Sequence, residues 1–288
     1  MDEAVLSQQI EDLLVSRNLR QMQQAQAALT AGYYLRAARM LRDISGSVII
    51  GTGFPVTGTF ETDGPVGAIA LYDTLESLGA DCWLACGPPL SRALAADYQV
   101  LELEAKSVAE AEEEARRVLA EINPQAIVSI ERPGLCADGK YHNMRGEDIS
   151  ERCAIFDPFM DIASCPTIAI GDGGNEIGMG NIRPAIEQLD IAYGSVTCCD
   201  ELLVADVSNW GAYGLIAFLS LWRGHDLLAE VSPAEILDYL SARGSVDGVT
   251  RENTTTEDGL DQEQGYQVIN DIRRLAGLDQ LHKRDKKL

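Results

Sequence analysis

The stretch Ile168-Ala169-Ile170-Gly171-Asp172-Gly173-Gly174-Asn175-Glu176-Ile177-Gly178-Met179-Gly180 decides how this chain is read. It opens as an apolar β-strand and runs straight into five glycines, with two carboxylates and an amide set among them. A strand entering a glycine-rich turn leaves backbone N–H groups and short acidic side chains at its carboxyl end, the edge where open α/β sheets bind ligands. Glycine serves where φ is positive or where a ligand must approach the backbone closely. A tight turn alone needs fewer glycines than this, so the segment reads as a functional site.

Working outward, the same alternation of strand and helix repeats. Val48-Ile49-Ile50 is a short strand ending in Gly51-Thr52-Gly53-Phe54-Pro55. The pattern then predicts a helix over 65–78, with Thr62 or Asp63 as N-cap and Pro65 in its first turn. A strand over 82–86, a short helix over 89–96, a helix over 108–122 and a strand over 126–130 follow. Residues 149–163 read as a helix bent or restarted at Pro158, before strands over 167–170 and 202–204 and a buried helix over 210–222. Helical spacing also marks the first forty residues, with Gly32 separating two helices. The segment after Ser232 reads as helical and peripheral, with a basic tail over 282–287. The expected fold class is α/β: a mostly parallel, twisted, Rossmann-like sheet with helices on both faces and helical additions at both ends. We expect a single domain over 1–288, with a helical segment over 1–45, a sheet-forming core over 46–225 and a helical segment over 226–288.

Composition narrows the function. The 288 residues carry 45 Asp and Glu against 23 Lys and Arg, a formal charge of −22. That balance argues against sequence-independent nucleic-acid binding, which relies on Lys and Arg neutralising phosphates. Much of the acid, such as Glu110 to Glu114, lies on solvated helix faces. A protein this acidic that binds an anion must supply local Arg, backbone N–H groups or a metal. No apolar run approaches the roughly 18 residues of a membrane span, and the acidic start Met1-Asp2-Glu3-Ala4 does not read as a secretory signal. Seven cysteines in no framework spacing fit a reducing cytoplasm.

In a parallel sheet all strand-to-helix loops emerge on one side, and three of them carry unusual residues. Together they direct Glu61, Asp63, Glu131, Asp172 and Glu176 towards one cleft, with Arg132 and Arg145 nearby. Clustered carboxylates repel unless a hard cation sits among them or one of them holds a proton. His142 is readable as a base or as a hydrogen-bonding spacer. No His or Cys spacing suggests zinc, no Gly-x-Ser-x-Gly turn suggests a serine nucleophile, and nothing supplies a base for Cys136. The glycine run lacks Gly-x-Gly-x-x-Gly order, so no nucleotide cofactor is expected. It also resembles the Mg²⁺-binding segment of haloacid-dehalogenase-like phosphatases, though the nucleophilic Asp those enzymes carry after the first strand is here Gly51-Thr52-Gly53. An Mg-dependent phosphatase is the minority reading.

Several separate motifs, in order, resemble the C-terminal domain family of D-glutamate cyclase. They are Gly53-Phe54-Pro55, Glu61-Thr62-Asp63-Gly64-Pro65, Glu131-Arg132-Pro133-Gly134, Tyr141-His142-Asn143-Met144-Arg145-Gly146, Gly171 to Gly180, Asn209-Trp210-Gly211-Ala212-Tyr213-Gly214 and Val246-Asp247-Gly248-Val249-Thr250. The resemblance covers nearly the whole chain and is to the C-terminal part of two-domain eukaryotic members. It implies conversion of D-glutamate to 5-oxo-D-proline and water, in the cytoplasm or, in a eukaryote, the mitochondrial matrix. It also raises a separately encoded, hydro-lyase-like partner. Set against that chemistry, Asp63, Asp172 and Glu176 are expected to hold a divalent cation, Mg or Mn, that polarises the side-chain carboxylate. Glu131 is the expected base. Arg145 or Arg132 is expected to grip the α-carboxylate, and the N–H groups of Gly173 and Gly174 to stabilise the oxyanion. Glu61, Asn143 and Asn175 complete the expected substrate contacts. The non-enzymatic alternative is a module that binds an acidic amino acid and acts with a catalytic partner. Trp210, Tyr213 and Trp222 read equally as core or as an interface, including one between copies of this chain.

Overall fold

The computed structural model describes residues 2–281, so the basic tail lies outside the described residues. Six strands form one parallel sheet: β1 (Ser47–Thr52), β2 (Asp81–Cys86), β3 (Val100–Glu102), β4 (Ala126–Ile130), β5 (Thr167–Gly171) and β6 (Glu201–Val204). Their order is β3-β2-β1-β4-β5-β6, so Ile50 sits between Leu84 of β2 and Val128 of β4. Every residue of β4 and β5 is buried. Short apolar runs rich in Ile and Val suit such two-face burial. The chain winds outward in one direction from β1 and in the other from β4. Their carboxyl ends therefore flank the point where ligands bind in doubly wound sheets.

Helices α1 (Glu3–Leu14), α2 (Met22–Ala27) and α3 (Tyr33–Leu41) form the N-terminal addition, with Gly32 between the last two at φ 91°. Between strands run α4 (Pro65–Ser77), α5 (Leu90–Leu94), α6 (Val108–Ile122), α7 (Asp157–Asp161) and α8 (Arg183–Ile186), and α9 (Ser208–Arg223) follows β6. Helices α10 (Pro233–Ser241) and α11 (Gln262–Ala276) follow. The acidic helix α6 buries only Ala111, Ala115 and Val118, the stripe that helical periodicity selects. Helix α9 is apolar all round because α3, α4 and α11 all pack on it. Glycines let these neighbours close in: a Cβ on Gly67 would stand 2.8 Å from the Cα of Asn209, and one on Gly214 would stand 2.6 Å from Tyr34. Trp210 and Tyr213 are core residues.

Three expectations change. Residues 149–163 form only a 3₁₀ turn, Ser150–Arg152, and α7. Pro158 suits the first turn of a helix and so starts α7 rather than bending a longer one. The Phe156 ring just before it fills the space beside Gly51, where a Cβ would come within 2.3 Å of the ring. Gly64, not Asp63, is the N-cap of α4; Asp63 Oδ1 accepts from Gly64 N–H at 2.9 Å, and its carboxylate also reaches across to α9. The segment after Ser232 is not peripheral, since Gly248, Glu257 and Asp258 reach the cleft or its supports. The edge strand β3 and two short ribbons, Pro55–Val56 with Thr59–Phe60 and Thr256–Glu257 with Leu260–Asp261, carried no readable signal. Among the described residues no helix is long and apolar enough to cross a membrane, and all seven cysteines are free thiols.

Candidate active site

The loops after β1, β4 and β5 meet over a cavity of about 270 Å³, which Arg20 and the segment over 248–258 complete. Backbone pairing ties two of them together: Gly134 N–H donates to Asn175 O at 2.9 Å and Ile177 N–H to Arg132 O at 2.9 Å. At the cavity floor, carboxylate oxygens of Asp63, Glu131 and Asp172 lie within 4.8 Å of one another. Each of the three residues is at least 95% buried. Glu131 sits at φ 49°, a backbone conformation that costs a non-glycine residue energy and that tertiary structure must impose.

Two helix ends hold this floor in place by capping each other. Asp63 Oδ1 accepts from Asn209 N–H at 2.9 Å and its Oδ2 from Ser208 N–H at 3.1 Å, at the start of α9. In return Asn209 Oδ1 accepts from Gly64 and Gly67 N–H at 2.8 and 2.7 Å, at the start of α4. Both positive helix ends thus face the carboxylates. Ser208 Oγ donates to Glu131 Oε2 at 2.6 Å. Glu257 receives Asn209 Nδ2 and Trp210 Nε1, each at 2.8 Å, and holds the arrangement from behind.

The chief counter-charge is Arg20, which no motif announced. Its Nη2 reaches Asp172 Oδ2 at 2.6 Å, Asp258 Oδ2 at 2.5 Å and Asp206 O at 2.8 Å, while Nε donates to Asp172 O at 2.9 Å. Arg20 lies at φ 49° in a turn that Asp206 clamps, its carboxylate accepting from Arg17 and Leu19 N–H at 2.8 and 2.7 Å. Asp206 stands just past β6, where the loop rule would have found it. Asp258 is the first residue of an Asp-Gly turn, a pair that ordinarily signals nothing more than a hairpin.

Charge at the floor is unbalanced. Burial pushes the pKa of Glu61, Glu131 and Asp172 well above the ordinary carboxylate range, and neighbouring carboxylates push the same way. Arg20 opposes this at Asp172. For Asp63, burial and Asp258 outweigh the capping hydrogen bonds and the pKa is raised to about 6. Burial works against the Arg20 charge, and the surrounding carboxylates outweigh it, so its pKa rises. One guanidinium does not neutralise this many acids. The three oxygen donors at the floor fit a hard divalent cation, which takes oxygen ligands.

The expected residues divide accordingly. Glu61, Glu131, Asp172, Asn143, Arg145 and Asn175 line the cavity, and Asp63 lies beneath it. Glu176 does not join the trio; its carboxylate accepts from Gly174 N–H at 2.7 Å and is also stabilised by the amides of Gly173 and of its own residue. The glycine-loop amides expected to face an oxyanion are therefore directed to Glu176. Burial still raises the Glu176 pKa. Arg132 is buried with its guanidinium on the carbonyls of Thr52, Gly53 and Ala154, so it braces loops instead of facing the cavity. Arg145 is exposed at the mouth, donating to Val249 O at 3.2 Å, with Arg152 and Arg251 also in the lining. Asn143 builds its own turn, accepting from Arg145 and Glu147 N–H, each at 3.0 Å. His142 stacks on Tyr193 with ring centroids 3.7 Å apart, pairs with Asp138 at 2.8 Å, and is not among the residues lining the cavity. Thr52 occupies the end of β1, where a phosphatase of the kind considered above would carry its Asp nucleophile.

Fold and site together define a doubly wound α/β protein with an acid-floored, arginine-rimmed cleft at the switch point of its sheet. Residues 10–273 match the family described as D-glutamate cyclase-like, C-terminal, and the chain belongs to that family. It is similar to the human protein D-glutamate cyclase, mitochondrial, with 33% identity over 210 residues, covering 60% of this chain and 32% of that one. The match thus spans about a third of that relative's length. Among solved structures, an exopolyphosphatase-related protein from Bacteroides fragilis aligns with a TM-score of 0.45 and 11% identity, over 86% of this chain and 60% of that one. That likeness carries no functional argument.

Proposed function

We propose that the chain closes D-glutamate on itself to give 5-oxo-D-proline and water. The reading is carried by the converging carboxylates of Asp63, Glu131 and Asp172, set in a cavity sized for a small amino acid and rimmed by arginines. Family membership supplies the choice of reaction. In the step itself the α-ammonium gives up two of its three protons, its nitrogen bonds to the side-chain carboxyl carbon, and one oxygen of that carboxylate takes up both protons and leaves as water. Asp63 and Asp172, with Glu131 in the place expected for Glu176, would hold Mg²⁺ or Mn²⁺. Such a cation supplies Lewis-acid polarisation of the carboxylate under attack. Glu61 lines the cavity with a raised pKa and is suited to relay the two protons, one after the other, from the nitrogen to the departing oxygen. Arg145 at the mouth is placed to pair with the α-carboxylate.

Proton NMR of the purified chain with D- or L-glutamate tests this. The expected result is 5-oxoproline from the D-isomer alone, lost on adding a chelator and restored by Mg²⁺ or Mn²⁺. No lactam under any of these conditions would overturn the cyclase reading. Because the chain covers only 32% of the human relative, a second reading stands beside it: a module that binds the acidic amino acid for a hydro-lyase-like partner. That reading predicts calorimetric binding of D-glutamate without turnover.

A further inference from the structure

One fully buried acceptor in the cavity lining, Asn175 Oδ1, lacks a donor, and the carboxylate of Glu61, which also lines the cavity, accepts no hydrogen bond from a described residue. Asn175 is 1% exposed, and its Nδ2 donates to the His142 carbonyl at 3.0 Å. Only the NH₂ end of an amide can face a carbonyl, so the orientation is fixed and Oδ1 is left over. That oxygen is buried without a partner, in a residue that lines the cavity. Glu61 is 8% exposed, also lines the cavity, and takes no side-chain hydrogen bond from any described residue. Bare Gly248 leaves room for it: a Cβ there would stand 2.2 Å from Glu61 Oε2. Buried polar groups are almost always hydrogen-bonded, and an exception calls for a partner not yet in place.

We propose that Asn175 Oδ1 and the Glu61 carboxylate form a subsite for a primary ammonium group, making the cleft selective for primary amines that also carry acid groups. The inference rests on the glutamate reading above for the acid groups and on the two vacant acceptors for the amine. An ammonium brings several N–H donors and a positive charge, matching two acceptors in a cavity with an excess of carboxylates. A lactam nitrogen is neutral and carries one N–H. The same subsite therefore holds an amino acid and releases its cyclised product. Asn175 acts as a specificity-determining contact, whereas Glu61 also touches the protons that move.

Calorimetric titration of the full chain with D-glutamate, glutarate and N,N-dimethyl-D-glutamate tests the subsite without relying on turnover. Glutarate keeps both carboxylates and lacks nitrogen; the dimethyl compound keeps the charge and retains one N–H. D-glutamate is expected to bind roughly tenfold or more tightly than either. Asn175→Leu should erase that preference and leave glutarate affinity unchanged. Should that variant not fold, Gly248→Ala, which pushes the Glu61 carboxylate aside, is expected to do the same. Equal affinity for D-glutamate and glutarate overturns the subsite even where lactam forms. A clear amine preference with no lactam sustains the subsite and removes the cyclase reading. Binding of none of the three overturns both. Titration with Mn²⁺ alone supplies the last arm: if Asn175→Leu weakens Mn²⁺ as much as D-glutamate, the two acceptors are cation ligands and the proposal fails.

Discussion

Arg20 shows how one side chain can be essential to a site and silent in a sequence. Its guanidinium joins Asp172, Asp258 and the Asp206 carbonyl, three positions more than 150 residues away along the chain. Removing one partner of a buried ion pair leaves the other charges uncompensated, typically at about 3–5 kcal/mol. Arg20→Ala is expected to lower stability at the lower end of that range, about 3 kcal/mol at pH 7.5, because its own side chain is 21% exposed. The loss should shrink as pH falls, because burial raises the Asp172 pKa and a protonated Asp172 no longer needs the guanidinium. Urea melts at pH 7.5 and pH 5 check this, and equal losses at both would contradict it. Arg20→Lys should not rescue, since an ammonium cannot spread its donors over the same acceptors. Asp63, Glu131 and Asp172 were legible because each follows a strand at the edge where ligands bind. Arg20 lies in a turn between helices and Asp258 in a hairpin, where an ordinary surface charge reads identically. Arg132 was misplaced for a related reason: the sequence shows that an arginine is near the edge, and only packing shows which way it turns.

Among elements, the pair α4 and α9 matters most. Their starts exchange side-chain caps through Asp63 and Asn209, and the bare Gly67 lets them come close enough to do so. An N-cap is ordinarily worth about 1 kcal/mol. Asn209→Ala loses the caps on Gly64 and Gly67 and also leaves Glu257 short of a donor, so about 2–4 kcal/mol is expected. Gly67→Ala forces a Cβ against backbone at 2.8 Å and cannot be relieved by a side-chain rotation. It should lower the melting temperature and, by moving Asp63, reduce turnover as well. A Gly67→Ala protein with wild-type turnover and stability would show that the two helix starts are not coupled. The helices themselves were readable from periodicity and from Pro65. The reciprocal caps were not, because Asp63 is as well placed in sequence to cap its own helix as the one 145 residues on. The region over 149–163 was misread for the converse reason: its apolar residues match helical spacing, yet Phe156 is drawn to the space beside Gly51.

At the scale of the whole molecule, the excess of buried acid makes stability depend on pH in an unusual direction. Folded Asp63 titrates at about 6 and Glu257 at about 7, both raised first by burial. A carboxyl with a raised folded pKa binds its proton more tightly when folded than unfolded. Its contribution is therefore fully present below about pH 4 and is lost as pH rises through 6 and 7. With chelator present, the melting temperature should fall between pH 5 and 7.5. Added Mg²⁺ or Mn²⁺ should raise it more at pH 7.5 than at pH 5, because the cation replaces protons at the floor. A melting temperature that climbs steadily over that interval, unaffected by the cation, would contradict both the buried charge and the cation site. The parallel sheet follows from strand after strand of short apolar runs, but its strand order and the charge imbalance are visible only in the closed fold. That closure has a consequence for synthesis. Arg20 leaves the ribosome 238 residues before its partner Asp258, which at ordinary rates of roughly 5–20 residues per second is a delay of about 12–48 s. For all that time the guanidinium set against the acid floor lacks one of its two carboxylate partners, so the charge balance of the cleft is completed only when the Asp258 turn arrives.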